Sequence, residues 1–197
     1  ELLAGFGAHA VLLDINDELG ERAVAGIRGQ GGEASYYRCD VSSAEDCKRV
    51  AEEIDSACGR IDILFNNAGV IRRRTVVELE ERDWDLVLDV SLKGVYLLSK
   101  YVIPIMERSG GGSIINSGSG WGLKGGDRAA AYCAAKAGVV NLTKAMAIDH
   151  GAQNIRVNCV SPGDTDTPLL RDEAKQLRRD EAAFLVDSAK GRPLERL

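Results

Sequence analysis

Short apolar segments alternate with stretches of helical spacing along almost the whole chain, and each apolar segment ends in a cluster of small or polar residues. Strands that alternate with helices of about 10–20 residues predict crossover units, and therefore a doubly wound α/β fold with a parallel sheet. The predicted strands are residues 8–14, 34–41, 60–69, 112–119 and 154–163, and the predicted helices are residues 17–30, 43–58, 80–88, 90–108, 129–150 and 167–190.

The unusual polar residues lie at the carboxyl ends of the predicted strands. In parallel sheets of this kind, ligands bind in the crevice outside those ends. The pattern therefore predicts a single domain, residues 1–197, with one ligand site along one edge of the sheet. The clusters are Asp14, CDV at 39–41, NNAG at 66–69, SGSG at 117–120 and SPGDTDT at 161–167.

Two acids end the first two predicted strands. Asp14 at such a position can accept hydrogen bonds from the ribose hydroxyls of an adenine dinucleotide and repel a 2′-phosphate, which favours NAD over NADP. Asp40 can accept a hydrogen bond from an adenine amino group. Either acid could instead cap the helix that follows it, and the sequence leaves these alternatives open.

Two turns of small residues follow later strands. In NNAG, which begins at Asn66, small side chains let a flat cofactor approach the backbone, while the amides can also hold neighbouring strands together. In SPGDTDTP, Pro162 and Gly163 fix a turn. Thr165 and Thr167 can then present hydroxyl and backbone groups to a carboxamide such as that of nicotinamide. A simple loop is the alternative.

Ser119, Tyr132 and Lys136 form the strongest candidate catalytic set. Tyr132 and Lys136 are four residues apart on a predicted helix, so they share one face. A positive charge on Lys136 is expected to lower the pKa of the Tyr132 phenol, which makes it a usable acid or base for an alcohol and ketone pair. Ser119 can hydrogen-bond the same substrate oxygen. The alternative is a surface tyrosine on an alanine-rich helix.

Composition argues against several other functions. The net charge of −5 and the pI of about 5.2 argue against nucleic-acid binding, and the densest basic run, IRRR at 71–74, is interpreted as a solvated loop. No run approaches the roughly 20 apolar residues that span a bilayer. The five cysteines, an odd number without a C-x-x-C pair, indicate reduced thiols in the cytoplasm. The two histidines lack partners at metal-ligand spacing, so neither a metal site nor a Ser-His-Asp triad is expected.

These landmarks, in this order and at these separations, resemble the short-chain dehydrogenase/reductase family over the whole chain. The resemblance implies a Rossmann-type sheet and NAD(P)-dependent hydride transfer between a secondary alcohol and a ketone. It implies Tyr132 as general acid/base, Ser119 as the group that orients the substrate oxygen, and Lys136 on the nicotinamide ribose. The cofactor-binding residues that it implies, besides Tyr132 and Lys136, are Asp14, Ile15, Asp40, Val41, Asn66, Ala68, Gly69, Pro162, Gly163, Thr165 and Thr167.

The chain departs from the family pattern in two ways. Ser91 stands where the family usually has an asparagine that supports a water relay to the lysine, so slower proton exchange is expected. The glycine-rich phosphate loop and the first strand are expected before Glu1, and a last strand after Leu197. We therefore expect a fragment of a longer enzyme. Its exposed apolar edges would invite aggregation, and as an isolated chain it would bind NAD weakly.

Several alternatives stay open at this level. A non-catalytic cofactor-binding protein on the same fold would not need all three of Ser119, Tyr132 and Lys136. A serine-lysine hydrolase would explain Ser119 and Lys136 but not Asp14 or NNAG.

Residues 164–190 are expected to form a mobile lid over the substrate. The resemblance also implies a homotetramer or homodimer, and the segment NNAGVIRR with DWD is similar to members that act on sugar acids or cyclic alcohols.

Overall fold

The computed structural model describes residues 1–190, 194 and 196, and it has the α/β architecture that the alternating pattern predicts. The strands are β1 (His9–Asp14), β2 (Glu33–Arg38), β3 (Ile63–Asn66), β4 (Gly112–Ser117) and β5 (Ile155–Val160). The helices are α1 (Leu2–Gly5), α2 (Asp17–Gly29), α3 (Ala44–Cys58), α4 (Glu81–Leu88), α5 (Gly94–Arg108), α6 (Ala130–His150), α7 (Pro168–Gln176) and α8 (Glu181–Ala189).

The described strands form two parallel sheets, one of β1 and β2 and one of β3, β4 and β5, and residues at the carboxyl ends of both sheets line the same cavity. β1 pairs with β2, starting with His9 opposite Glu33. β3 pairs with β4, which also pairs with β5. Among the described strands, β1 and β3 each have a hydrogen-bonded neighbour on one side only. Ile63 and Phe65 on β3 are 48% and 53% exposed. The expectation that a further strand completes this sheet stays a prediction.

Local capping explains where the first two crossover helices begin. The side chain of Asn16 accepts a hydrogen bond from the Leu19 amide at 3.0 Å, and that of Ser43 accepts one from the Asp46 amide at 3.2 Å. These two residues, not Asp14 and Asp40, are therefore the N-caps of α2 and α3. The carboxylate of Asp46 does not complete a capping box, because it accepts from the amide of Asp40.

The two helices predicted at 80–88 and 90–108 are one continuous helical segment. A single π-helical stretch, Asp89–Lys93, joins α4 to α5 and contains the buried Ser91. Such π-turns are frequent at functional sites. By contrast, the helix predicted at 167–190 is broken between α7 and α8, where Arg178 has a positive φ of 54°.

The main hydrophobic core lies between the sheet and the helices α3, α5 and α6. Its fully buried members include Val50, Met106, Ile114 and Val139. A second cluster packs α4 against the start of α6 and includes Tyr132. The helix that carries Tyr132 and Lys136 is thus held by packing on both sides, which limits the movement of these two side chains.

Candidate active site

One large cavity, with a volume of about 1380 Å³, runs along the carboxyl ends of all five strands. This volume exceeds the range of about 300–1,000 Å³ that is typical of single small-ligand pockets. Its wall includes nearly all the predicted site residues: Asp14, Ile15, Asp40, Val41, Ala68, Gly69, Ser119, Tyr132, Lys136, Pro162, Gly163, Thr165 and Thr167. The structure thus brings together residues that are up to 153 positions apart in the sequence, from Asp14 to Thr167.

The Ser119, Tyr132 and Lys136 side chains lie on the cavity wall, with Tyr132 and Lys136 on one face of α6. Tyr132 is 9% exposed and Lys136 3% exposed. The Lys136 Nζ atom lies 5.7 Å from the centroid of the Tyr132 ring and donates a hydrogen bond to the Ser117 carbonyl at 2.6 Å. The Ser119 Oγ atom accepts a hydrogen bond from the Trp121 amide at 3.1 Å, which orients its hydroxyl.

Burial shifts the pKa values of both titratable members of this set. Desolvation raises the pKa of Tyr132 above its ordinary value, and the Ser119 hydroxyl offsets only part of that rise. Desolvation lowers the pKa of Lys136 to about 8. The structure therefore differs from the expectation of a lowered Tyr132 pKa, because the cost of burying the phenolate is the largest contribution and raises it.

Ser91 lies just behind the cavity wall. Its Oγ atom accepts a hydrogen bond from the Val70 amide at 3.1 Å and donates one to the Val70 carbonyl at 3.2 Å. A Cβ atom added to Gly69 would lie 3.4 Å from Lys136 Nζ and 3.6 Å from Ser91 Oγ. Glycine at position 69 therefore keeps open the space between the serine hydroxyl and the lysine amine.

Asn66 also lies beside the cavity instead of lining it. Its Nδ2 atom donates hydrogen bonds to Asn116 Oδ1 at 2.8 Å and to Ser99 Oγ at 3.3 Å. Of the two roles that the sequence left open for NNAG, this amide therefore holds neighbouring elements together. The cavity is lined instead by the next residue, Asn67, which the sequence analysis did not single out.

The acids at the other end of the cavity each keep one carboxylate oxygen without a hydrogen bond to the described residues. Asp14 Oδ1 accepts from the Asn16 amide at 2.9 Å. Asp40 Oδ1 accepts from the Ser42 amide at 2.9 Å and its hydroxyl at 2.6 Å. Both carboxylates are exposed to the cavity and are fixed by their turns. Their free oxygens suit hydroxyl or amino donors, such as those of a ribose and an adenine.

The turn after β5 also lines the cavity, beside Gly120, whose amide donates a hydrogen bond to the Pro162 carbonyl at 2.9 Å. Thr165 donates a hydrogen bond to the Gly163 carbonyl at 3.3 Å. Thr167 is the N-cap of α7, and its Oγ1 atom accepts from the Leu170 amide at 3.4 Å. As an acceptor, the Thr167 hydroxyl keeps its own proton available to donate to a ligand.

Trp121 lines the far end of the cavity, at a position for which the sequence left open a substrate wall or a packed aromatic. Trp121 packs edge-on against Tyr132, with ring centroids 6.2 Å apart. The guanidinium carbon of Arg73 lies 5.0 Å from the Trp121 ring centroid, and Arg73 also pairs with Glu173 on α7. The interpretation of IRRR as a solvated loop was wrong for Ile71 and Arg73, which are buried. Because Glu173 lies 100 residues after Arg73, no local sequence pattern indicates that the two side chains pair.

The part of the chain that the structure describes contains neither a candidate metal site nor a helix that could span a membrane. Within residues 1–190, 194 and 196, no three His, Cys, Asp or Glu side chains are grouped so that they could hold a metal ion. No helix in the same residues is both long and apolar enough to cross a bilayer. The five cysteines are free thiols.

The fold agrees with comparisons to known proteins. The sequence profile of the short chain dehydrogenase family matches residues 1–178. The crystal structure of levodione reductase superposes with a TM-score of 0.95 at 30% identity, covering 99% of this chain and 77% of that one. The chain therefore belongs to the short-chain dehydrogenase family.

Two relatives show how closely the chain resembles individual members. It is 46% identical over 171 residues to an uncharacterized oxidoreductase, YxbG, of Bacillus subtilis, which covers 86% of this chain and 62% of that protein. It is 40% identical over 170 residues to a cyclopentanol dehydrogenase of Comamonas sp., covering 86% of this chain and 68% of that protein. The matched part thus spans about two thirds of each relative.

Proposed function

We propose that the protein is an NAD-preferring oxidoreductase that interconverts a secondary alcohol and a ketone, with Tyr132 as general acid/base. One observation carries the proposal: Ser119, Tyr132 and Lys136 share a wall of the same cavity that Asp14 and Asp40 line at its other end. A cavity with an acid/base group at one end and ribose-type acceptors at the other suits a dinucleotide and a small alcohol together.

The residues present fit the ends of a nicotinamide adenine dinucleotide. Asp14 and Ile15 would hold the adenosine ribose, and Asp40 and Val41 would lie near the adenine. Lys136 would hold the nicotinamide ribose, and Pro162, Gly163, Thr165 and Thr167 would border the nicotinamide. The family resemblance assigns the pyrophosphate to a loop expected before Glu1. When bound, the dinucleotide supplies the acceptor or donor of a hydride.

In alcohol oxidation, the protein's own groups handle the proton. The Ser119 hydroxyl orients the substrate oxygen, and the deprotonated form of Tyr132, which burial makes scarce at neutral pH, removes the hydroxyl proton as the hydride leaves. Lys136, whose pKa of about 8 lies close to neutrality, can hold or release a proton beside the tyrosine. Ser91 lies behind Gly69, where it would support a water between its hydroxyl and the Lys136 amine.

The finer predictions about the whole protein also belong to this proposal. We propose that residues 1–197 form one dinucleotide-binding domain, in which residues 164–190 act as a lid because α7 and α8 form a small cluster of their own around Phe184. We also propose a cytoplasmic homotetramer or homodimer that associates through α5 and α6.

The test is alcohol oxidation by the intact protein that the native source produces, whose mass should first be compared with 21.1 kDa. Because relatives include a cyclopentanol dehydrogenase and a levodione reductase, cyclic alcohols and ketones are the first substrates to assay, with NAD and NADP. Tyr132→Phe should lower kcat by at least about 100-fold while leaving NADH binding intact. Tyr96→Phe, on the exposed side of α5, is the matched control.

Other outcomes would support a different function. NADH binding without turnover of any alcohol would favour a non-catalytic cofactor-binding protein. An acyl-enzyme at Ser119 would favour a hydrolase, although Lys136 donates to the Ser117 carbonyl and no hydrogen bond joins it to Ser119 in the described structure. A Tyr132→Phe variant with full activity would exclude the proposed acid/base role.

A further inference from the structure

A buried ion pair stands at the substrate end of the cavity. Arg73 is 5% exposed, and its Nη1 atom lies 2.5 Å from Glu173 Oε2 on α7. Both side chains are almost completely removed from solvent, and Glu173 is the member that reaches the cavity wall. Burying two charges is costly unless they are paired, so the position of each residue depends strongly on the other.

Three further contacts hold the arginine in place. Its guanidinium carbon lies 5.0 Å from the Trp121 ring centroid, its Nη2 atom lies 3.7 Å from Asp127 Oδ2, and its backbone amide donates a hydrogen bond to Gln176 Oε1 at 2.7 Å. The Gln176 amide group in turn donates to the Ile71 carbonyl at 3.1 Å. In this conformation the pair therefore joins the loop after β3, the tryptophan beside Tyr132, and α7 into one continuous wall.

Glu173 keeps one carboxylate oxygen available to a ligand. Oε2 is bound by Arg73, whereas Oε1 has no hydrogen-bond partner among the residues that the structure describes. Oε1 is also absent from the buried polar atoms that lack partners, so it retains contact with the cavity space. The charge on Glu173 contributes to the raised pKa of Tyr132, which supports its placement near the catalytic phenol.

We propose that Glu173 Oε1 accepts a hydrogen bond from a second hydroxyl group of the substrate, so that the preferred substrate is a diol or polyol. This inference rests on the proposed function, because Tyr132 must act on the first hydroxyl. Oxidation transfers the hydride from one carbinol carbon to NAD and that carbinol's hydroxyl proton to Tyr132. The second hydroxyl is unchanged, and the product is a hydroxyketone.

The position of Arg73 favours a neutral donor over a cation. An ammonium group at Glu173 Oε1 would place a second positive charge beside the Arg73 guanidinium, whereas a hydroxyl group adds no charge. The charged acceptor still makes a stronger hydrogen bond than a neutral one. A substrate without this hydroxyl would displace water from Oε1 without replacing its hydrogen bond, which is the basis of large discrimination by polar sites.

The test compares cyclopentane-1,2-diol, cyclopentanol and 2-aminocyclopentanol as substrates of the intact protein with NAD. We expect kcat/KM for the diol to exceed that for cyclopentanol by at least about tenfold. Glu173→Gln should lower this ratio by about tenfold, since the acceptor becomes neutral. Arg73→Met/Glu173→Leu, which removes both charges together, should bring it close to one. Lys175→Gln, on the exposed face of α7, is the control and should leave it unchanged.

Each outcome has a distinct meaning. Equal use of diol and cyclopentanol by the wild-type protein, or a ratio that Glu173→Gln leaves unchanged, would overturn the inference while the proposed function stands. A preference for 2-aminocyclopentanol over the diol would also overturn it. Failure to oxidise any of the three would overturn the proposed function and this inference together. Circular dichroism of each variant separates loss of recognition from loss of folding.

Discussion

Asn66, at the end of β3, donates a hydrogen bond to the side chain of Asn116 on β4 over 2.8 Å, and the two residues are in register. Asn116 in turn donates to Thr143 Oγ1 at 2.9 Å, and the Thr143 hydroxyl donates to the Val139 carbonyl at 2.7 Å. This buried chain of hydrogen bonds connects two strands to α6, which carries Tyr132 and Lys136. It therefore fixes the position of α6 along its axis relative to the strand ends.

The first prediction concerns this chain. Asn116→Ala removes the acceptor for Asn66 and the donor for Thr143, so each of these buried side chains loses one hydrogen bond and keeps one. We expect a loss of about 3 kcal/mol in the free energy of unfolding, measured by urea denaturation. Asn158→Ala, at an exposed position of neighbouring β5, should cost less than about 0.5 kcal/mol. Similar values for the two variants would show that the chain adds no stability.

The second prediction concerns Lys136, whose folded-state pKa of about 8 lies below its ordinary value of 10.5. Below about pH 8 the lysine is charged in both states, so the folded protein bears the full cost of burying that charge. The cost disappears as pH rises towards the ordinary value. Lys136→Met should therefore stabilise the fold near neutral pH, and its advantage should shrink by about 2 kcal/mol between about pH 7 and pH 10.

Urea denaturation at several pH values checks this expectation. Lys144→Met, at an exposed position of the same helix, is the control and should show no comparable pH dependence. A constant difference between Lys136→Met and wild type across this range would mean that the lysine is not desolvated in the folded state.

The third prediction concerns cofactor choice. Removing the Asp14 carboxylate removes both an acceptor for ribose hydroxyls and the charge that repels a 2′-phosphate. Asp14→Ala should therefore lower the ratio of kcat/KM with NAD to kcat/KM with NADP by at least about tenfold. Glu18→Ala, an exposed acid in the first turn of α2, controls for a general change in charge. If both variants shift the ratio equally, Asp14 makes no specific contact.

The fourth prediction concerns Ser91. An asparagine would reach further towards Lys136 than the serine hydroxyl does, and should hold a relay water more firmly. We expect Ser91→Asn to raise kcat, by less than about tenfold, and to change its pH profile. Ser91→Ala, which loses both hydrogen bonds to Val70, should lower kcat. The relay hypothesis would be wrong if Ser91→Asn left both the rate and the profile unchanged.

Most of the architecture could be predicted because its signals are local. Apolar segments of strand length, N-capping side chains and the helical spacing of Tyr132 and Lys136 depend on residues within a few positions of one another. Their order then implies a parallel sheet, and a parallel sheet places its strand ends together. The exact helix boundaries were less predictable: the π-turn around Ser91 and the break near Arg178 depend on packing that no short window of sequence contains.

The sequence by itself therefore determined the α/β fold, the edge of the sheet where the cavity lies and the residues that follow each strand, because these follow from periodicity and chain order. Only the tertiary structure decided which side chains are desolvated and which distant groups meet. It buries Arg73 against Glu173, turns the Asn66 amide towards Asn116, and raises the pKa of Tyr132. Each of these depends on contacts between residues far apart in the chain. The desolvation of a group depends on all the atoms that surround it in space, which no local sequence pattern specifies.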